Sequence, residues 1–381
     1  MSNCSIPFFQ GVFSRKGYIN IWYTIAALTL IALAVIGGIA YLAYESSQKD
    51  IKQLTGNGSA AQVSITPQLT CTGDEEPFKN LDEALNIPEE VCVLLLDGRE
   101  LVKVPSTIGS FPNLVKLDLH YNKLSQMPAE LGNLKSLKQI SIIQNNFSVF
   151  PQILTKLNTL RKLDISFNKI NNIPPEISTL SLLEEFKINS NEISSLPKTF
   201  ITLSNLKFLE LGSNKFTEFP LEVTGLKNLT DLHLYRNSIT KIPPEINNLS
   251  NLKVLTIFEN NIDILPPEIG NLSNLEQIYL SKNNLKQLPL EMGKLSKLGL
   301  IDFSNNQLTT LPTEVGNLKE LKTLTLKSNQ LTNLPSTIGN LVNLATLDLE
   351  NNKFTTLPAE IGKINLKKLI LTGNNLSDDE K

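Results

Sequence analysis

Residues 265–285 read LPPEIGNLSNLEQIYLSKNNL, and this stretch decides the fold. A proline opens a short helical turn, where a residue without a backbone donor is tolerated. A pattern LxLxxN then follows, in which alternate apolar residues of a short strand point to the same side of the chain. The asparagine closes the strand. Its side chain both donates and accepts hydrogen bonds, so it can satisfy backbone groups that a turn leaves unpaired.

Working outward, the same pattern returns along most of the chain. Prolines stand at 105, 128, 151, 174, 197, 220, 243, 266, 289, 312, 335 and 358, each 23 residues after the last. Asparagines keep the same phase from Asn122 to Asn352, and Asn374 then follows after 22, so one residue is missing near Ile364 to Leu366. A glutamate stands two positions after the proline in eight copies, near the positive end of the helical turn. Pairs such as Leu117 and Leu119, or Leu232 and Leu234, fill the interior of the coil. A fixed period of this length is the mark of a solenoid, in which each unit buries its apolar side only against its neighbours. Thirteen parallel strands at about 4.8 Å spacing make a ribbon roughly 60 Å along the sheet.

The 381 residues carry 35 Lys+Arg against 37 Asp+Glu, a formal net charge of −2, which gives no electrostatic reason to expect nucleic acid as a partner. Three cysteines and two histidines cannot supply a zinc finger or a multi-histidine centre, so no metal or other cofactor is expected. His120 and His233 lie five strands apart. His233 has Asp231 beside it but no serine or cysteine in a nucleophile motif, and no small-molecule substrate or enzymatic activity is expected.

The pattern LPxEIGxLxNLxxLxLxxNxL resembles the leucine-rich repeat family over roughly Val91 to Leu376. The resemblance implies an α/β fold, a horseshoe-shaped solenoid with a parallel concave sheet. The period and the LPxEIG segment are similar to a 23-residue subclass found in bacterial surface and secreted proteins and in intracellular Ras-binding scaffolds. The segment FKNLDEAL…PEEVCVLLLDG is similar to the amino-terminal cap of spirochaete-type members.

The repeats are preceded by a different kind of sequence. After a short tail at residues 1–17, residues 18–44 are uncharged and mostly apolar, long enough to span a bilayer, with aromatic residues at both ends. A bulky exit reads as an uncleaved signal-anchor rather than a cleaved leader. Arg15 and Lys16 stand directly before the span, Glu45 directly after it and Lys49 and Lys52 further on, so that proximity rather than number of basic residues leads us to expect the amino terminus in the cytoplasm and the repeats outside it, in a bacterial inner membrane. Residues 45–73 read as a linker and 74–104 as a cap with a degenerate repeat. In that cap Asp74 is expected to start a helix carrying Phe78, Leu81, Ala84 and Leu85 on one face, followed by a strand at Val91–Leu96. Residues 105–381 hold the repeats and a short charged tail. Cys71 and Cys92 flank the cap, and two readings stand side by side: a bridge, if this part lies outside the cytoplasm, or a loop thiol and a small core residue.

Function is expected at the outward positions of the strands, which the repeat does not dictate. Most carry small or charged residues. The middle of the ribbon instead gathers Phe208, Asp231, His233, Tyr235, Arg236, Phe258, Glu259 and Tyr279, aromatic rings with an arginine within cross-strand reach. This patch is expected to capture a protein or envelope partner through exposed aromatic anchors, with Tyr235 and Phe258 dispensable for folding; the alternative is that the cross-strand aromatic pairs simply stabilise the sheet. The rival readings are a membrane-tethered intracellular scaffold or signalling regulator, and a structural envelope protein.

Overall fold

The computed structural model describes residues 70–377. The expected tail, membrane span and most of the linker at residues 1–69 lie outside the described residues, as do residues 378–381. No helix among the described residues is long and apolar enough to cross a membrane.

Among the described residues, thirteen strands form one parallel sheet in chain order. They are β1 (Val93–Leu95), β2 (Lys116–Asp118), β3 (Gln139–Ser141), β4 (Lys162–Asp164), β5 (Glu185–Lys187), β6 (Phe208–Glu210), β7 (Asp231–His233), β8 (Val254–Thr256), β9 (Gln277–Tyr279), β10 (Leu300–Asp302), β11 (Thr323–Thr325), β12 (Thr346–Asp348) and β13 (Lys368–Ile370). Neighbouring strands pair at an offset of one repeat, Asp118 with Ser141 and Ser141 with Asp164. At the last pair Thr346 meets Lys368, which keeps the sheet in register despite the missing residue. The deletion is absorbed directly after the last helical turn, where Ile364 is extended (φ −98°, ψ 134°) and the equivalent Leu341 is not (φ −81°, ψ 67°).

The central residue of each strand from β1 to β12 points into the coil, whereas Leu369 of β13 is exposed. Leu94, Leu117, Ile140, Leu163, Phe186 and their successors to Leu347 are buried, and with the residue two positions further on they form one continuous core. Each strand returns through a single short 3-10 turn. The periodic proline sits one position earlier than the sequence suggested: Pro105, Pro128 and Pro312 are the extended N-cap residues (φ −64°, −71°, −68°), and the second prolines Pro175, Pro244 and Pro267 open the turns themselves. A ring that fixes φ near −65° and lacks a donor suits both places, so the motif alone did not separate them.

The asparagines form a ladder that ties each unit to the one before. Asn237 donates to Leu211, Leu234 and Tyr235 carbonyls at 3.1, 3.1 and 3.2 Å, and its Oδ1 accepts from the Phe216 amide at 3.1 Å. Just before each ladder asparagine from 122 to 352, one residue takes the left-handed conformation, among them Tyr121, Phe167, Arg236 and Glu259 at φ 51–56°. This turn conformation is unusual for non-glycine residues. Every unit accepts it because the asparagine bonds hold the loop.

The cap differs from expectation. The helix, α1, spans only Leu81–Ala84 and is capped by Asn80, whose Oδ1 accepts from the Asp82 amide at 2.9 Å. Pro77 keeps Glu76 out of the helical region, so a helix cannot run from Asp74. Phe78 instead pairs with Leu94 as a bridge beside β1, donating to Val93 O at 2.9 Å and accepting from the Leu95 amide at 2.8 Å. The first strand is accordingly shorter than Val91–Leu96. Cys71 and Cys92 are joined by a disulfide with Cα atoms 5.4 Å apart. Edge pairing and a covalent bond therefore close the amino-terminal end of the stack.

Candidate functional site

The residues that the repeat leaves free lie in rows across the strand face. One row runs Asp118, Ser141, Asp164, Lys187, Glu210, His233, Thr256, Tyr279, and a second, two residues earlier in each strand, includes Lys116, Gln139, Lys162, Glu185, Phe208 and Asp231.

The sequence-predicted patch is a set of small clusters. Phe208 and His233 lie with ring centroids 4.9 Å apart and tilted by 39°. Tyr235 and Phe258 stack nearly parallel at 5.0 Å. Tyr279 joins neither pair; its hydroxyl donates to Gln277 Oε1 at 3.0 Å. Asp231 accepts from the Thr230 hydroxyl at 2.6 Å. Arg236 and Glu259 occupy left-handed positions past the strands, where Glu259 is held by Arg236 at 2.8 Å and Lys282 at 2.6 Å. Both cations hold the Glu259 carboxyl below its ordinary value, led by the Lys282 hydrogen bond and opposed by partial burial.

The expected exposed anchors are in fact half-buried, and they are tied into the sheet. A Cβ on Gly212 would come within 2.4 Å of the Tyr235 ring, so that ring rests directly on a backbone that only glycine leaves bare. The Tyr235 hydroxyl donates to Glu210 Oε1 at 2.6 Å, and burial together with that bond raises its pKa. Lys187 stands over the Phe208 ring at 5.0 Å and bonds Glu185 at 2.7 Å. Burial lowers the pKa of His233, against the pull of Glu210 and Asp231, and its Nε2 is buried without a hydrogen-bond partner. Lys187, Glu210 and Gly212 were outside the predicted set. Counting 23 residues back from His233 and Tyr235 finds the last two.

The aromatic side chains that are exposed lie elsewhere. Tyr121 and Phe167 are 54% and 52% exposed, both at left-handed positions near the amino-terminal strands. Beside Tyr121, the face of β2 to β5 holds a cavity of about 420 Å³, lined by Lys116, Asp118, His120, Ser141, Asp164 and Lys187 among others. Its chemistry is polar, with three lysines and three carboxylates in reach of a bound group.

This architecture can be set beside known proteins. A model of the leucine-rich repeat region matches residues 152–258, 202–281 and 245–324, and further leucine-rich repeat models match 319–376 and 113–134. A solved leucine-rich repeat protein of Leptospira interrogans is 33% identical, covering 80% of this chain and 96% of its own, with a TM-score of 0.58. The chain belongs to the leucine-rich repeat family. An internalin of Listeria monocytogenes is similar in fold, with a TM-score of 0.70 at 24% identity over 77% of this chain and 84% of its own. A plant peptide hormone receptor, RGFR1, solved in complex with RGF2, is 29% identical with a TM-score of 0.65. It shares 77% of this chain, which spans about half of the receptor's length (53%). No curated protein matches this leucine-rich repeat chain. Solenoids of this family are typically protein-binding modules.

Proposed function

We propose that this leucine-rich repeat protein is a membrane-anchored binding module of the spirochaete-type, 23-residue bacterial subclass, which captures a protein or envelope partner on its strand face. The observation that carries the binding reading is the strand face itself, where two rows of side chains run from β2 to β12 without serving the core or the asparagine ladder. The similarity to the Leptospira protein supports the subclass. The uncharged residues 18–44 support an anchor. The Cys71–Cys92 disulfide supports an oxidising, extracytoplasmic setting for the repeats, and favours this reading over an intracellular scaffold. The half-buried aromatic clusters and the more open amino-terminal strands divide the face into two candidate contact regions.

Two experiments test the two halves of the proposal. An epitope placed after Lys381 is expected to resist protease in intact cells and to be digested in spheroplasts; protection in both, lost only on lysis, contradicts the orientation. For binding, a polymer coupled through maleimide to Thr323→Cys on the strand face is expected to block capture of partners from solubilised envelopes, whereas the same polymer on Leu221→Cys in an outer turn is not. Equal capture by both conjugates contradicts strand-face recognition and favours a structural role.

A further inference from the structure

The cavity over β2 to β5 contains groups that the fold does not use. Glu185 takes up both nearby lysines, Lys187 at 2.7 Å and Lys162 at 3.2 Å. The two carboxylates of the neighbouring row, Asp118 and Asp164, form no salt bridge with a lysine or arginine among the described residues, although Lys187 stands next to Asp164 in the row and acts on it at longer range. Asp118 is engaged by the His120 ring at 2.5 Å and by the His120 amide at 3.0 Å. Asp164 accepts from the Ser166 amide at 3.1 Å. Between them in the same row stands Ser141, whose Oγ is buried with no hydrogen-bond partner.

Such an arrangement is unfavourable. Burial pushes the Asp164 carboxyl above its ordinary value, and the charge of Glu210 adds to this, against the Ser166 hydrogen bonds and Lys187. A carboxylate held this way gains from a cation that brings its own donors into the cavity. Asp97, 3.8 Å from His120 Nε2, adds further negative charge at the β2 side. Tyr121 stands at the rim, with the His120 ring against it edge-on at 4.8 Å, leaving an exposed aromatic face beside the cavity.

We propose that this cavity receives an arginine side chain from a protein partner, its guanidinium lying between Asp118 and Asp164 above Ser141 and its stem passing Tyr121. This rests on the protein-binding reading and gives it a place and a chemistry. Two strand steps separate the carboxylates by about 10 Å along the sheet. A planar fork of five donors can address both carboxylates at once, which a compact ammonium does less well. The exposed ring supplies a cation–π surface at the entrance. Lys116, the cavity lysine without an ion pair, is the opposing feature: its charge works against a second cation at the β2 side. Further along the sheet the tyrosine hydroxyls are already bonded, Tyr235 to Glu210 and Tyr279 to Gln277.

The test uses the full chain in detergent and two photoreactive peptides that differ at one residue, acetyl-photoleucine-Arg-Gly-amide and the same peptide with Glu in place of Arg. After irradiation, adducts are located by mass spectrometry. The arginine peptide is expected to label the segments carrying β2 to β4 at least fivefold more than the glutamate peptide. Asp164→Asn is expected to lower that labelling at least fivefold without lowering the melting temperature, and Lys116→Gln to raise it. The last response would not follow if these residues served only the fold. Equal or stronger labelling by the glutamate peptide, labelling by neither, or labelling unaffected by Asp164→Asn overturns the proposal. Failure here, with partner capture still blocked by polymer on Thr323→Cys, would remove the arginine site and leave strand-face binding standing.

Discussion

Tyr235 shows how a surface residue can serve the fold and the face together. Its ring lies on Gly212, stacks on Phe258 and donates to Glu210. The aromatic pair contributes about 0.5–1.5 kcal/mol beyond burial. A bond to a charged acceptor contributes about 1.5–3 kcal/mol, reduced here because the site is only half-buried. Tyr235→Ala is therefore expected to destabilise the repeats by about 1–3 kcal/mol, read as a lower midpoint in urea; an unchanged midpoint would return Tyr235 to the role of a free anchor. His233 adds a pH dependence. Its folded-state pKa is lowered by burial against the Phe208 stack, with Lys187 lowering it further and Glu210 and Asp231 opposing. The unfolded chain then takes up a proton that the folded chain resists. Stability attributable to His233 is present above its ordinary value of 6.5 and is lost as pH falls below it. Asp164 has the opposite sign, since its raised pKa favours the folded state as it protonates. The two are separated by comparing melting temperatures at neutral and mildly acidic pH in His233→Gln and in the wild type. The fall on acidification is expected to be smaller in the variant, and an equal fall would contradict the assignment.

At the scale of elements, the pattern of apolar residues, prolines and asparagines was enough to read the strands, their order and their register. Even the lost residue near Ile364 was legible, because a parallel sheet with one fixed offset leaves no other place to absorb it. The cap was less so. Its apolar residues at helical spacing suggested a long helix, and the bridge of Phe78 to Leu94 overrode that local signal. The left-handed residues before the asparagines escaped notice because Tyr, Gln, Phe, Ser, Arg, Glu, Lys and Asn all occupy them, so no residue type marks the conformation. The outward residues were legible as positions, whereas their exposure depended on diagonal contacts between neighbouring strands. The cap makes its own prediction. Removing the bridge with Cys71→Ser and Cys92→Ser is expected to cost about 2–4 kcal/mol at that end. Hydrogen exchange should accelerate at Val93–Leu95 while amides of β8 and β9 remain protected, as a stack held by neighbour contacts requires. Uniform acceleration along the sheet would contradict local closure by the cap.

Across the whole molecule, the core and the asparagine ladder are repeated nearly without change, while the strand face varies from one unit to the next. Polar residues around a cavity at β2 to β5 give way to packed rings at β6 to β8 and then to Leu300, threonines and aspartates at β10 to β12. A fold that holds its interior fixed and changes one surface is suited to recognition. The most direct test is in-cell photo-crosslinking from benzoylphenylalanine placed singly at Gln139 and Thr323 on the strand face and at Leu221 and Leu290 in the outer turns. Discrete adducts with the same partner from Gln139 or Thr323, and none from Leu221 or Leu290, are the predicted result. Adducts from the outer turns alone, or from no strand-face position, would contradict capture on the sheet.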